Sequence, residues 1–259
     1  MRFLRLIQNE MMKIHSKRNS WFYYLFLVMG VIASAILMKY MIPAAGETIN
    51  FVEFSNYMKM ALAPFITIFA VVMGAQTITE EFKDGTIKQL LIRPASRTAV
   101  LLSKYVSIIL IVLIAYAVLL FVSLLTGVVL FGTSSPGDVS FAILYKKILY
   151  DLPGMLFIMT LSFFLAVVFR GIGLAISVAI IANFIGGLLI TMLSKYAWAK
   201  YIIFANTDLT VYDPDPLINS GMQPPFAGMT LGFSLAVILA YIVVLLIVAD
   251  LIFVKRDIR

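Results

Sequence analysis

The side chains that most often perform chemistry are scarce in this chain. It has no cysteine and one histidine, His15, so neither a thiolate metal site nor an imidazole cluster can form. A catalytic zinc would lack its protein ligands. A serine nucleophile working inside a membrane needs a histidine base, and none lies within an apolar run. Glu80-Glu81 occupy the first two positions of the Glu-Glu-x-x-x-Arg signature of intramembrane CAAX-type proteases, but Gly85 stands where the arginine belongs. Those enzymes also need histidines in later spans. No Gly-x-x-x-x-Gly-Lys-Ser/Thr loop is present, and Gly171-x-Gly173 falls between two apolar runs as a tight turn. An enzyme is not expected, and ATP hydrolysis is not expected in this polypeptide.

The elements around these residues read as lipid-embedded helices. Of 259 residues, 62% are hydrophobic and 13% charged, with mean hydropathy +1.03. Soluble domains hold about 25% charged residues, so the chain lies outside that range. Six runs are long and apolar enough to span a bilayer: Trp21–Ile42, Met60–Thr79, Leu101–Phe131, Leu152–Phe169, Ile172–Met192 and Met229–Val254. Roughly 20 helical residues cover a ~30 Å hydrocarbon slab. The third run exceeds this and should tilt or protrude. Lys39, Lys104 and Asp250 lie near run ends, where they can reach headgroup water.

With the amino terminus inside, fourteen basic residues fall on inner segments and six (Lys39, Lys59, Lys146, Lys147, Lys195, Lys200) on outer ones. This bias predicts that both termini are cytoplasmic, and that the net charge of +7 reports topology instead of nucleic-acid binding. Cysteines at Ser96 and Asn206 should then label from opposite sides. Ala33-Ser34-Ala35 mimics a signal-peptide cleavage site, but the apolar run continues to Ile42, so a retained first span is expected. Residues 1–20 place Phe3, Ile7, Met11 and Ile14 at helical spacing, with basic residues elsewhere and Glu10 breaking the stripe. This predicts an amphipathic interfacial helix on the inner leaflet. In the outer loop, 193–228, Tyr196 to Tyr201 suit an interfacial helix, whereas Pro214, Pro216, Pro224 and Pro225 mark turns. Ala175, Ala179, Asn183 and Gly187 form a small-residue helix-packing stripe, along which Asn183 could hydrogen-bond across a contact.

The segment 80–97 between the second and third runs is the most informative. A helix leaving the membrane is broken at Gly85, which tolerates the left-handed conformation. Thr86 can cap a short helix, and Ile87, Leu90 and Leu91 share one of its faces. Arg93, preceding Pro94, is pushed out of helical geometry and ends it. The resulting apolar face, flanked by charges, wants the chain's own spans or a partner's groove.

In this segment Glu81, Gly85-Thr86, Leu90-Leu91, Pro94 and Ser96-Arg97, with Lys104 in the next run, match the pattern of type-2 ABC export permeases. The resemblance covers the six-span layout, the amphipathic amino-terminal helix and the long loop before the last span. The chain is most similar to small bacterial permeases that expel antimicrobial peptides, antibiotics and related amphiphiles. The resemblance implies an all-α membrane protein of six transmembrane helices, forming one permease domain over 1–259 in the bacterial plasma membrane. Glu81, Gly85, Thr86, Ile87, Leu90, Leu91, Pro94 and Arg97 would form the cytoplasmic coupling element. It would engage a cytoplasmic ABC ATPase, present in two copies, which holds the ATP and magnesium. A second permease copy or homologue would complete the pathway, and no cofactor or metal is expected in this chain.

Two other classes compete. An ion-driven secondary transporter usually places an ionisable group at mid-depth, and the middles of these runs hold none. A non-transporting membrane scaffold would need only the six spans.

Overall fold

The computed structural model describes residues 3–44, 49–83, 96–133 and 139–255. Every regular element among them is helical. The helices are α1 (Phe3–His15), α2 (Arg18–Ala44), α3 (Phe51–Lys83), α4 (Arg97–Phe131), α5 (Phe141–Phe169), α6 (Ile172–Met192), α7 (Pro216–Asn219) and α8 (Leu231–Lys255). Three 3-10 turns at Ala197–Tyr201, Ile203–Ala205 and Thr210–Tyr212 fill the connection from α6 to α7. Six helices (α2 to α6 and α8) have the length and apolar character of membrane spans.

Local chemistry fixes the helix ends. Asn50 caps α3 by accepting from the amides of Val52 and Glu53, while Glu53 accepts from the Asn50 amide in return, a reciprocal capping box. Ser96 and Ser140 cap α4 and α5 through the amides of Ala99 and Ile143. Helix α5 stops at Arg170, whose φ of 54° is left-handed, and Gly171 precedes α6 directly. The turn expected at Gly171-x-Gly173 is therefore made one residue earlier, on an arginine.

Helices α3 and α5 form the centre, with 61% of their most apolar windows buried, against 17% for α2, α6 and α8. The peripheral helices present Leu25, Met29, Ile36, Phe184, Leu188 and Val244 outward, as lipid-facing helices do. The main core joins Phe54, Ile66, Ile108, Ile111, Leu119 and Phe163. Close approach of α3 and α5 relies on Gly74, where an added Cβ would lie 3.0 Å from the Met159 carbonyl oxygen. Pro64 and Pro153 sit within continuous helices.

Helices α3 and α5 are longer than their apolar runs suggest. Helix α3 has 33 residues and starts at Phe51, and α5 has 29 and starts at Phe141. Lys59 and Asp151, just outside their apolar runs, therefore lie well inside helices. Helix α1 buries Leu6, Ile7, Glu10 and Ile14 and leaves Phe3 40% exposed, which turns the expected stripe by part of a turn. It packs mainly on α4, with the Ser107 hydroxyl donating to the Ile7 carbonyl. In the loop, Pro216 occupies the first turn of the short helix α7, capped by Asp215. Proline there loses no hydrogen bond, so this stretch is helical where turns alone were expected.

Candidate functional site

Three consecutive residues at the end of α3 grip three other parts of the molecule. Glu80 pairs with Lys17, in the link between α1 and α2. Glu81, 2% exposed, pairs with Lys104 of α4 at 2.8 Å and with Lys13 of α1. Phe82 lies under the Arg170 guanidinium, 4.5 Å from its ring centroid, at the turn from α5 to α6. Lys104 also meets Glu10 of α1 at 2.8 Å. Three carboxylates thus face three ammonium groups, and the cluster is charge-balanced.

Stripping an ammonium of water costs several kcal/mol unless carboxylates replace it. Lys104 is 1% exposed and does not reach headgroup water from the helix end, as its position suggested. Glu10 and Glu81 take the place of that water. The acidic residue that broke the α1 stripe is thereby explained, because it faces Lys104. For Lys13, burial alone would lower the pKa. Its hydrogen bond to Glu81 and the charges of Glu81, Glu10 and Glu80 outweigh this and hold it above the ordinary lysine value.

The next helix is anchored where it begins. The Arg97 guanidinium donates to the Val254 carbonyl at 2.8 Å, and the Thr98 hydroxyl donates to Asp250 at 3.1 Å, tying α4 to the end of α8. The end of α3 and the start of α4, which flank residues 84–95, are therefore each tied to other helices. Gly85, Thr86, Ile87, Leu90, Leu91 and Pro94 lie outside the described residues. Of the expected coupling set, the structure places Glu81 and Arg97, in separate polar contacts that flank this segment.

At the opposite end, α3, α4, α5, α6 and the 3-10 turns enclose a cleft of ≈ 630 Å³. Lys59 and Asp151 form an ion pair in it. Gly154 lies at its floor, where an added Cβ would come within 2.8 Å of the Thr207 carbonyl oxygen. The loop above is organised by Asp213, which is 3% exposed. Its carboxylate accepts from the Asp215 amide at 3.0 Å, the Tyr150 hydroxyl at 2.9 Å and the Lys146 ammonium at 3.1 Å. These donors, the backbone amide first, hold its pKa below the ordinary carboxylate value.

The small-residue stripe on α6 divides in two. Ala175 and Ala179 are fully buried within the chain, whereas Asn183 and Gly187 line the cleft. The Asn183 side chain is exposed and makes no hydrogen bond among the described residues, and nothing lies within 4 Å of a Cβ added at Gly187. The glycine packed at that level is Gly186, against the Phe204 ring. Asn206, expected to be a reactive position in the outer loop, is fully buried. It donates to the carbonyls of Lys200 and Ile202 and accepts from Ser234. Among the described residues no cluster of three or more His, Cys, Asp or Glu is arranged to hold a metal ion.

Six apolar helices, with charge confined to two levels near their ends, define a multi-pass membrane protein. Over residues 24–259 the chain matches the family described as protein of unknown function DUF2705, and it belongs to that family. It is 35% identical over 208 residues to the uncharacterized protein YhcI of Bacillus subtilis, covering 74% of this chain and 64% of that relative. It is 28% identical over 229 residues to the uncharacterized membrane protein YdbK of the same organism, covering 87% and 90% of the two chains.

Proposed function

We propose that this chain is the membrane subunit of an ATP-driven exporter, with segment 84–95 as the element that engages a separate ATPase. The observation that supports the reading is the anchorage of the two helix ends that flank that segment. A displacement passed to these two helix ends would be shared with their partners. Through Glu80, Glu81 and Phe82 it reaches α1, α4 and the α5–α6 turn together, and through Arg97 it reaches α8. A connector that merely joined two spans would need no such grip. The sequence pattern from Glu81 to Lys104 agrees with this role. In this reading both termini and the segment are cytoplasmic, two ATPase copies and a second permease half complete the machine, and an amphipathic or hydrophobic substrate is moved.

The test is co-purification from native membranes, followed by assay of ATP hydrolysis. The wild-type chain is expected to bring down a nucleotide-hydrolysing ABC subunit. The double variant Leu90→Asp, Leu91→Asp, charged on the proposed docking face, should reach the membrane normally and lose that subunit and its ATPase activity. Full retention of both by the variant, or no such subunit with the wild type, overturns the proposal.

A further inference from the structure

The connection from α6 to α8 does not stay above the helix ends; it descends beside them. The Phe204 ring packs on Gly186 and lies 6.0 Å from the Phe157 ring. Gly186 comes six residues before the end of α6, and Phe157 six residues after Asp151, each a drop of roughly 9 Å along its helix. The Tyr241 hydroxyl, roughly 15 Å along α8 from Leu231, donates to the Tyr201 carbonyl at 3.3 Å. The 3-10 turns Ala197–Tyr201 and Ile203–Ala205 therefore lie within the height of the spans.

One side of this stretch is closed, with Ala199 and Ala205 buried among Ile190, Phe226 and Met229. On the other side Tyr196, Trp198 and Tyr201 are each more than half exposed. They continue the outward faces of two spans. Met192, 81% exposed, ends α6 just before them, and the Tyr201 ring meets Phe233 of α8 edge to face. Three large rings open to water form the kind of apolar patch that marks an interaction surface. In a headgroup layer such rings bury their bodies and hydrate their polar edges. Both charged residues of the stretch 193–207, Lys195 and Lys200, are basic. The Lys200 ammonium lies 5.3 Å from the Tyr201 ring centroid. The flanking sequence adds no acid, since no Asp or Glu occurs from 152 to 207 or from 216 to 249.

We propose that this aromatic, basic turn is a binding surface for an anionic phospholipid, in the leaflet at the end of the bundle where Lys59 and Asp151 pair. The headgroup phosphate meets Lys195 and Lys200, while Trp198 and Tyr201 lie against the glycerol and the first methylenes. Lysines at a membrane surface attract lipid of net negative charge, an attraction that a zwitterionic headgroup largely cancels. Such a site requires neither an ATPase nor ATP.

Trp21 and Trp198 are the two tryptophans of the chain, so Trp21→Phe leaves Trp198 as the sole reporter. The full chain with this change is placed in nanodiscs of phosphatidylcholine and phosphatidylglycerol. An equal mole fraction of either lipid carries bromine near the carbonyl end of its chains, which quenches an indole only in near contact. Both brominated lipids are expected to quench Trp198, with phosphatidylglycerol stronger by about twofold or more. Adding Lys195→Gln and Lys200→Gln should abolish that preference, keep the quenching by phosphatidylcholine and leave thermal unfolding unchanged. Absence of quenching by either lipid overturns the proposal, because the rings would then not face lipid. Equal quenching by the two lipids before the lysines are changed, or a preference that survives their replacement, overturns it as well. The exporter reading is decided separately, by the ATPase.

Discussion

Lys104 shows how one side chain can hold three helices. Its ammonium sits between Glu10 of α1 and Glu81 of α3, both nearly removed from solvent. Lys104→Met would leave Glu10 without its ion-pair partner and Glu81 with Lys13 alone. Breaking a buried pair by removing one partner typically costs about 3–5 kcal/mol. We expect a clear drop in the unfolding temperature, followed by fluorescence-detected size exclusion in detergent. Most of it should return in the double variant with Glu10→Gln, because the remaining two carboxylates and two ammonium groups are then balanced. A Lys104→Met variant as stable as wild type would show that the cluster contributes no net stability. The sequence displays Glu10 as a blemish in an amphipathic stripe and Lys104 as a residue near a helix end. Nothing in either local pattern pairs positions 94 residues apart.

At the scale of elements, much of the architecture is legible because hydrocarbon allows few solutions. Backbone groups in lipid must be satisfied within each segment, so long apolar runs become helices. All six expected spans are present as helices. Helices α3 and α5 begin well before their apolar runs, because Phe51–Lys59 and Phe141–Asp151 mix charged and apolar residues and do not register as hydrocarbon-compatible. Capping side chains such as Asn50 and Ser140 are the signals that could have placed those starts. The α6 stripe was half legible: spacing identifies small residues but does not say which of them meets a neighbour. Loop packing is invisible to periodicity, and Gly154 is the test of it. An added Cβ there collides with backbone, not with a flexible side-chain tip. Gly154→Val should destabilise the protein by about 1–3 kcal/mol, as overpacking does. It should also raise the susceptibility of the 3-10 loop to limited proteolysis. Unchanged stability and cleavage would mean that the loop is not seated on α5 as described.

For the molecule as a whole, orientation can be tested with two engineered thiols, since the chain has no native cysteine. Lys83→Cys at the exposed end of α3 and Met222→Cys, 56% exposed in the loop before α8, replace the buried Asn206 as reporters. A membrane-impermeant maleimide applied to intact cells should label Met222→Cys and spare Lys83→Cys until the cells are lysed. Labelling of Lys83→Cys alone from outside would reverse the proposed topology, and labelling of both would break it. The two charged levels also set a length. From Lys59 to Glu80 along α3 the helix rises roughly 32 Å, and from Asp151 to Arg170 through α5 roughly 28 Å. Both values are close to the ~30 Å of a bilayer's hydrocarbon interior. These ion pairs act as bolts at a fixed separation, so the bundle cannot readily stretch or shorten to suit its surroundings. A thicker membrane must thin around it, or a thinner one must swell. The lipids next to this protein, more than the protein itself, would do the adapting.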